Sequence, residues 1–509
     1  MTPSKLADNL PNDLAQCHAL IQEFATTLEE EQRLRKQFEQ QVEHLLKRLY
    51  GPRAERIDPA QLALFAQEMA AAPEAEVLPE ENAPAPKPRK GHGRKPLPKE
   101  LPRKRIVHDV PAEQKVCPEC GADKKCIGED VSEQLEYIPA SVVVLEHVRL
   151  KYACPCCQEH VAVADKPAQV LEKGLAGPGM VAHVLTSKYC DHLPLYRQES
   201  ILARQGVELS RQTLCGWVMA AADKVQPLVD LMKQEVLASK VIHTDDTPVR
   251  VQGDKDGAFT GRFWVYIGDD AHPYMVYDYT PSRKRDGPES FLDGYRGYLQ
   301  ADAFGGYDGI YGSGEVIEVA CWAHCRRYFH DARSTDSNRA HQALAWIRRL
   351  YDIEREGKKL DAGQRRDLRQ EKSKPLFEGG EDSQGFHKWL IGQQAKVLPK
   401  SPIGEAIAYA LNNWTALIRY LDDGALNIDN NLAENALRGI AVGRKNWLFL
   451  GSDRGGRAAA NHYSLIQSAK RHGIDPFAYL RDVLLRTATE AAINLRELLP
   501  DRWKAALDS

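Results

Sequence analysis

Four short apolar runs between Val241 and Leu299 do most to limit the folds open to this chain. Val241-Ile242-His243-Thr244, Arg262 to Ile267 and Tyr274 to Tyr277 are separated by Gly- and Asp-rich turns, a pattern that reads as an antiparallel meander. A helical stretch from about Gly287 to Tyr295 then leads to a fourth strand at Gly297 to Leu299. Acids follow the first and last of these runs: Asp245, within His243-Thr244-Asp245-Asp246-Thr247-Pro248, and Asp302, within Gln300-Ala301-Asp302-Ala303-Phe304-Gly305-Gly306-Tyr307. A third acid, Glu434, sits in a helix-like segment from Asp429 to Arg438, whose apolar face is Leu426, Ala433, Leu437 and Ile440. A solvated surface needs an acid at none of these places.

Three antiparallel strands, a helix and a further strand are the start of a ribonuclease-H-like α/β fold, in which the first and fourth strands are neighbours and Asp245 lies beside Asp302. Carboxylates packed together repel unless divalent cations lie between them. Two such cations are the usual device for in-line attack at a phosphodiester. The acids therefore point to a DNA-processing enzyme in which Asp245, Asp302 and Glu434 hold two Mg²⁺ ions, since Mg²⁺ accepts a few carboxylates and leaves positions for phosphate. Adjacent residues on a strand face opposite ways, so only one of Asp245 and Asp246 serves. Asp245 is preferred, with Asp246 a salt-bridge partner or turn acid. For Glu434 the competing explanation is an ordinary helical pair with Arg438.

At 509 residues, 43% apolar and 27% charged, the chain has room for about three or four units. It has no run of about 18 apolar residues and no secretory start, so a cytoplasmic, nucleoid-associated location is expected, with no membrane partner. The net charge of −3 does not exclude DNA, because binding follows where positive charge is clustered. Eleven cysteines, four of them in two Cys-x-x-Cys pairs, suit metal binding better than a disulfide framework.

From Leu14 to Leu49 a three-four spacing through Cys17, Ile21, Phe24, Leu28, Glu31, Arg35, Phe38, Val42 and Leu45 predicts a coiled coil over residues 1–50 and hence a homo-oligomer. An amphipathic helix packed on its own domain is the alternative. Residues 51–110 read as a flexible basic linker. Nine Lys and Arg against Glu100 alone lie between Lys87 and Arg105, with Arg94 and Lys95 as candidate phosphate contacts. Residues 111–165 read as a zinc-binding module whose ligands are Cys117, Cys120, Cys154 and Cys157; Cys156 competes with Cys157, and Cys126 is a possible substitute. A helical DNA-binding region, 166–236, resembles a helix-turn-helix. Its second helix begins near Ser210 and presents Arg211 and Gln212.

The catalytic domain is expected over residues 237–475, with a helical insertion at about 331–404, and a C-terminal helical segment over 476–509. The charged run from Lys358 to Lys374 reads as a solvated bundle or as a surface for end DNA. After the fifth strand, Trp322-Ala323-His324-Cys325-Arg326-Arg327 offers Arg326 and Arg327 to phosphate, with His324 either near the scissile bond or a satisfied core histidine. Arg438, Arg444 and Lys445 are further candidate DNA contacts. Gly451-Ser452-Asp453-Arg454-Gly455-Gly456 permits close backbone approach to a phosphate. It lacks the spacing of a nucleotide-binding loop, so ATP use is not expected.

With these motifs in view, the chain resembles the DDE transposases of the insertion sequence 66 family. Carrying the resemblance are Tyr50-Gly51-Pro52-Arg53-Ala54-Glu55-Arg56, Gly91-His92-Gly93-Arg94, both cysteine pairs, Asp245-Asp246-Thr247-Pro248-Val249, Cys321 to Arg327, Asn430-Asn431-Leu432-Ala433-Glu434 and Gly443-Arg444-Lys445-Asn446-Trp447. The family more often has Asp-Glu-Thr-Pro, so Asp246 stands where a glutamate is usual and Asp245 matches the first carboxylate. The resemblance implies strand cleavage at the ends of a mobile element, 3′-hydroxyl transfer into target duplex DNA, and small accessory proteins of the same element. A zinc-dependent regulator with an inactive core, or a nuclease or resolvase of the same fold, are the rival readings.

Overall fold

The computed structural model describes residues 142–152, 162–164, 169–171 and 174–503 apart from 254–256, 313, 381–383 and 490–492, together with scattered positions between His18 and Arg35. The expected linker, the contacts Arg94 and Lys95, and the zinc ligands Cys117, Cys120, Cys154 and Cys157 lie outside the described residues. In the N-terminal stretch the seam positions Leu28, Glu31 and Arg35 are helical and exposed. No helix among the described residues is long and apolar enough to cross a membrane.

The meander forms as the alternation of apolar runs and turns requires. Strands β1 (Val241–Val251), β2 (Phe259–Ile267), β3 (Met275–Thr280), β4 (Gly297–Gln300) and β5 (Val316–Val319) make one sheet in the order β3-β2-β1-β4-β5. β1 and β2 run antiparallel, as do β2 and β3, whereas β4 lies parallel to both β1 and β5. The first half of β1 is buried on both faces, as a central strand covered by helices must be. Its apolar start, Val241 and Ile242, reflects that position.

Helices α1 (Pro178–Tyr189), α2 (Leu195–Arg204) and α3 (Arg211–Leu237) precede the sheet. Ser210 caps α3 by accepting from the Thr213 amide at 3.1 Å, and Gly206 turns the chain before it with φ +80°, a conformation glycine adopts without a Cβ clash. The apolar face of α3, including Leu214, Val218, Val225 and Met232, packs into the same core as Phe263, Trp264 and Tyr266 of β2. Tyr479, Leu480 and Val483 of the C-terminal helix join that core. The expected limits at residues 236 and 475 therefore fall inside one packed body.

Between β4 and β5 run a short helix at Asp308–Tyr311 and a turn, and α4 (Asp286–Phe291) precedes β4. Beyond β5 come α5 (Trp322–Ala332), α6 (Ser337–Glu356), α7 (Phe386–Gln394) and α8 (Pro402–Asn412). A second apolar core, centred on Trp322, Phe377, Phe386 and Leu390, continues through Leu417 and Leu421 to Ile428. The helical packing thus extends past the expected end of the insertion at about 404, since the core built on Trp322 and Phe386 runs on through Leu417 and Leu421 to Ile428. The helix carrying Glu434 is α9 (Asn431–Trp447), followed by α10 (Asp453–Arg471) and α11 (Pro476–Thr489).

α10 covers the β3 edge of the sheet. Ser468 and Ser464 accept from the amides of Met275 and Tyr277 at 2.9 and 2.8 Å, satisfying donors that an open edge leaves unpaired. The close approach needs Gly456, where an added Cβ would lie 2.6 Å from the Tyr279 ring. This glycine serves helix-on-sheet packing rather than approach to a phosphate.

Within the charged run expected to be solvated, Arg369 is fully buried. Its Nε and Nη2 bind the Glu354 carboxylate at 2.8 and 2.7 Å, and its remaining hydrogens reach the carbonyls of Tyr420, Asp423 and Leu426. Arg369→Ala should destabilise the chain by about 3–5 kcal/mol, the cost of leaving a buried partner charge uncompensated, measured as a shift of the urea unfolding transition. Adding Glu354→Gln should not restore stability, since the three carbonyls still lack a donor. Full recovery in the double variant would show that the ion pair alone matters.

Candidate active site

The parallel register of β1 with β4 pairs His243 with Gln300. Two residues further along each chain stand Asp245 and Asp302, so the register brings them side by side. Glu434 arrives from the first turn of α9, whose residues Ala433, Leu437 and Ile440 are buried in the sheet-side core. Burial pushes Asp245 up to about 7, the charge of Asp302 adds to the shift, and Asp246 and Glu434 add less, against one opposing hydrogen bond from the Asp246 amide. Asp302 is raised by burial too, with Asp246 and Glu434 adding and His324 and Arg283 opposing. Asp302 and Glu434 thus both disfavour the charge of Asp245, and Glu434 disfavours that of Asp302.

Neighbouring Asp246 has a different environment. Its side chain is 2% exposed and accepts from Arg262 Nη1 at 2.8 Å and from Arg283 Nε and Nη2 at 3.0 and 2.8 Å. Of the two readings weighed for this aspartate, the salt-bridge partner is the one the geometry matches.

Glu434 faces α5 of the insertion. Its Oε1 lies 3.6 Å from His324 Nδ1 and its Oε2 3.6 Å from Arg327 Nη2. Neither Glu434 Oε1 nor His324 Nδ1, both buried, has a hydrogen-bond partner among the described residues, so His324 is not a satisfied core histidine. Cys321 also offers an atom within 4.8 Å of these two. Burial pushes its thiol up to about 12, and its Sγ accepts from the Asn430 amide at 3.2 Å. The half-buried acids Asp245, Asp302 and Glu434, the last with an orphaned carboxylate oxygen, offer the kind of oxygen donor that a hard divalent cation takes.

A buried polar network that the sequence reading did not find sets the position of Glu434. Asn430 is buried just before the helix that carries Glu434. Its Nδ2 donates to the Thr244 carbonyl at 2.7 Å and its Oδ1 lies 3.2 Å from His243 Nδ1. Burial lowers His243 to about 4, so the ring is neutral. Gln300 Nε2 donates to the carbonyls of Asn427 and Asp429 at 2.6 and 3.2 Å, and its Oε1 accepts from the Asn427 amide at 3.3 Å. The only sequence signal was the placing of polar His243 and Gln300 within otherwise apolar strands.

The candidate DNA contacts are dispersed. Arg211 and Gln212 are exposed at the start of α3, Arg326 and Arg327 on α5, and Arg438 and Lys445 on α9. Arg444 differs: its Nη1 donates to Thr247 Oγ1 at 2.9 Å and to the Pro248 carbonyl at 2.5 Å, tying α9 to β1.

Because Asp245 titrates near 7 when folded against 3.8 for a free aspartate, the folded chain binds the extra proton between those values. The charge penalty is absent below the lower value and complete above the upper, so stability falls as pH rises across that window. Asp245→Asn should therefore be more thermostable than the native chain in chelator above about pH 7, with the gap closing toward pH 4. A gap independent of pH in melting curves would contradict the assignment.

Residues 173–458 match the family model described as Transposase IS66 family. Residues 114–158 match the zinc-finger binding domain of transposase IS66, 37–106 a model described as Transposase C of IS166 homeodomain, and 464–500 the IS66 C-terminal element. Among similar proteins, the uncharacterized protein y4hP of Sinorhizobium fredii is 35% identical over 502 residues, covering 92% of this chain and 89% of that one. The uncharacterized protein y4jD of the same organism is 32% identical over 488 residues, covering 91% and 94%. A helical N-terminal stretch, a zinc-finger module and a transposase domain follow one another in the order expected, and the chain belongs to the IS66 family of transposases.

Proposed function

We propose that this transposase cuts DNA at the ends of its mobile element and joins the freed 3′-hydroxyl to target DNA, using Asp245, Asp302 and Glu434 as its metal-holding acids. The observation that carries the reading is the meeting of these three carboxylates at the junction of β1, β4 and α9, where, beyond the effect of burial, Asp302 and Glu434 raise the proton affinity of Asp245 and Glu434 raises that of Asp302. The sheet order β3-β2-β1-β4-β5, with β2 alone antiparallel to its neighbours on both sides, supports a ribonuclease-H-like core. Mg²⁺, when bound, supplies charge neutralisation for the attacking and leaving oxygens.

In the first step the oxygen of a water bonds to phosphorus as the bond from phosphorus to the 3′-oxygen breaks, leaving a 5′-phosphate and a 3′-hydroxyl. In the second the oxygen of that hydroxyl bonds to a target phosphorus as the bond from that phosphorus to the target's 3′-oxygen breaks, the attacking hydroxyl losing its proton to solvent and the leaving oxygen taking one up. Asp245 and Asp302, fixed by strand register, and Glu434, fixed by Asn430, orient both steps. Arg326, Arg327 and Arg438 lie on the helices that flank the acids and are suited to hold backbone phosphates. Arg211 and Gln212, together with Arg94, Lys95 and Lys445, extend the DNA contacts, and the N-terminal seam pairs chains so that two ends are held together. Accessory proteins of the same element are expected partners.

Labelled end DNA incubated with the full chain and Mg²⁺ should give cleavage and joined products, and Asp302→Ala and Glu434→Gln should reduce both by at least about a thousandfold, the scale of losing an essential charged group. Full activity of Glu434→Gln would remove it from the site. Cleavage without joining would mark a nuclease or resolvase; binding without either reaction would mark a regulator.

Zinc should be bound at a molar ratio of about one through Cys117, Cys120, Cys154 and Cys157. Elemental analysis of Cys120→Ser should show the metal lost, and an unchanged zinc content would exclude that set.

A further inference from the structure

Beside the acids lies an arginine that the catalytic reading does not use. Arg283 opens the exposed basic triplet Arg283-Lys284-Arg285, which follows β3. The preceding turn is fixed: Trp264 Nε1 donates to Thr280 Oγ1 at 2.7 Å, and that hydroxyl donates to the Ser282 carbonyl at 2.7 Å. The Nε and Nη2 of Arg283 both point at Asp246 Oδ1, and its guanidinium carbon sits 3.8 Å from the centre of the Phe304 ring. Phe304 is two residues past Asp302, and Arg283 Nη2 is itself 3.7 Å from Asp302 Oδ2. One edge and one face of the guanidinium are therefore held, while the side chain keeps 37% of its surface open to solvent.

Asp246 cannot neutralise what surrounds it, since a single carboxylate binds Arg262 and Arg283 together. The second positive charge faces Asp302, whose carboxylate lies 3.7 Å from Arg283 Nη2 at the rim of the acid group. A guanidinium immobilised in this way presents its remaining hydrogens in a fixed fork, the geometry that matches phosphate oxygens. We propose that Arg283 binds a DNA backbone phosphate adjoining the scissile bond, and that Asp246 is the positioning residue that aims it. The proposal rests on the strand-cleaving reading above. It gives the adjacent aspartates separate tasks, Asp245 toward metal and Asp246 toward the arginine that receives the strand.

The test compares the full-length native chain with R283A, R283K, D246N and D246E, each first checked for an unchanged melting curve, in Mg²⁺-dependent cleavage of end DNA. The same reactions are run on DNA carrying a neutral methylphosphonate at single positions flanking the scissile bond. R283A should lose about tenfold to a hundredfold in kcat/KM, the range for a charge-assisted hydrogen bond, and R283K should fall between. At one flanking position the methylphosphonate should slow the native chain yet add little to the loss in R283A. D246N should resemble R283A, and D246E should recover most of its loss. Native-level kcat/KM in R283A, or equal losses on ordinary and neutral DNA at every position, would overturn the phosphate contact while leaving the strand-cleaving reading intact. A native chain that cleaves no end DNA would overturn that reading and this proposal with it.

Discussion

The arrangement of this protein turns on one side chain, Asn430. Its side-chain nitrogen donates to the Thr244 carbonyl, its side-chain oxygen meets His243 Nδ1, and its backbone amide donates to Cys321 Sγ. A buried amide with these partners has little freedom to move, because each lost bond would strand a polar group away from water. Thr244 precedes Asp245, Cys321 precedes α5, and Asn430 precedes the helix of Glu434. Three elements distant in sequence are thereby referred to one point, which places the strand of Asp245 against the helix of Glu434.

That rigidity has an electrostatic consequence. The acids are held where their charges oppose one another, and the protein does not relieve this with cations of its own at Asp245. Burial and neighbouring charge leave Asp245 near 7. Arginines are present, yet they are committed elsewhere: Arg262 and Arg283 to Asp246, Arg444 to the backbone of β1 beyond it. The strain resides in a group poised to take up positive charge, and the cost is carried by the apolar packing beneath it.

Much of this was legible in the sequence. The alternation of strands and turns gave the meander, the order of strands gave the neighbours Asp245 and Asp302, and the apolar spacing of Ala433, Leu437 and Ile440 gave the buried face of the Glu434 helix. Ser210 announced the start of α3. What sequence could not supply were pairings between residues far apart. Asn430 reads as a helix-surface amide until the Thr244 carbonyl is seen beneath it. Arg369 sits in a run of charges whose composition suggests solvent, and only its five-point contact with Glu354 and three carbonyls explains its burial. Arg283 belongs to a loop with no local pattern, and its meaning comes from Asp246 and Phe304. Gly456, read as a phosphate-approach glycine, owes its identity to the Tyr279 ring.

The long insertion poses a closure problem that the same contacts resolve. The chain leaves the sheet at β5 and returns, after more than a hundred residues, to set Glu434 near Asp245 and Asp302. Chain length alone costs little, since closure entropy grows only logarithmically with it; imprecision is the greater hazard. The insertion has its own core, centred on Trp322 and Phe386, and so behaves as a rigid spacer. Its helices then grip the returning segment directly: Tyr351 donates to the Asp429 carboxylate at 2.9 Å, Arg369 holds the Leu426 carbonyl at 3.0 Å, and the Trp322 amide donates to Ile428 at 3.1 Å. Gln300 of β4 takes the same segment from the other side. The returning strand is clamped between sheet and insertion just before Asn430, so the inserted helices fix the third acid as surely as the strands fix the first two.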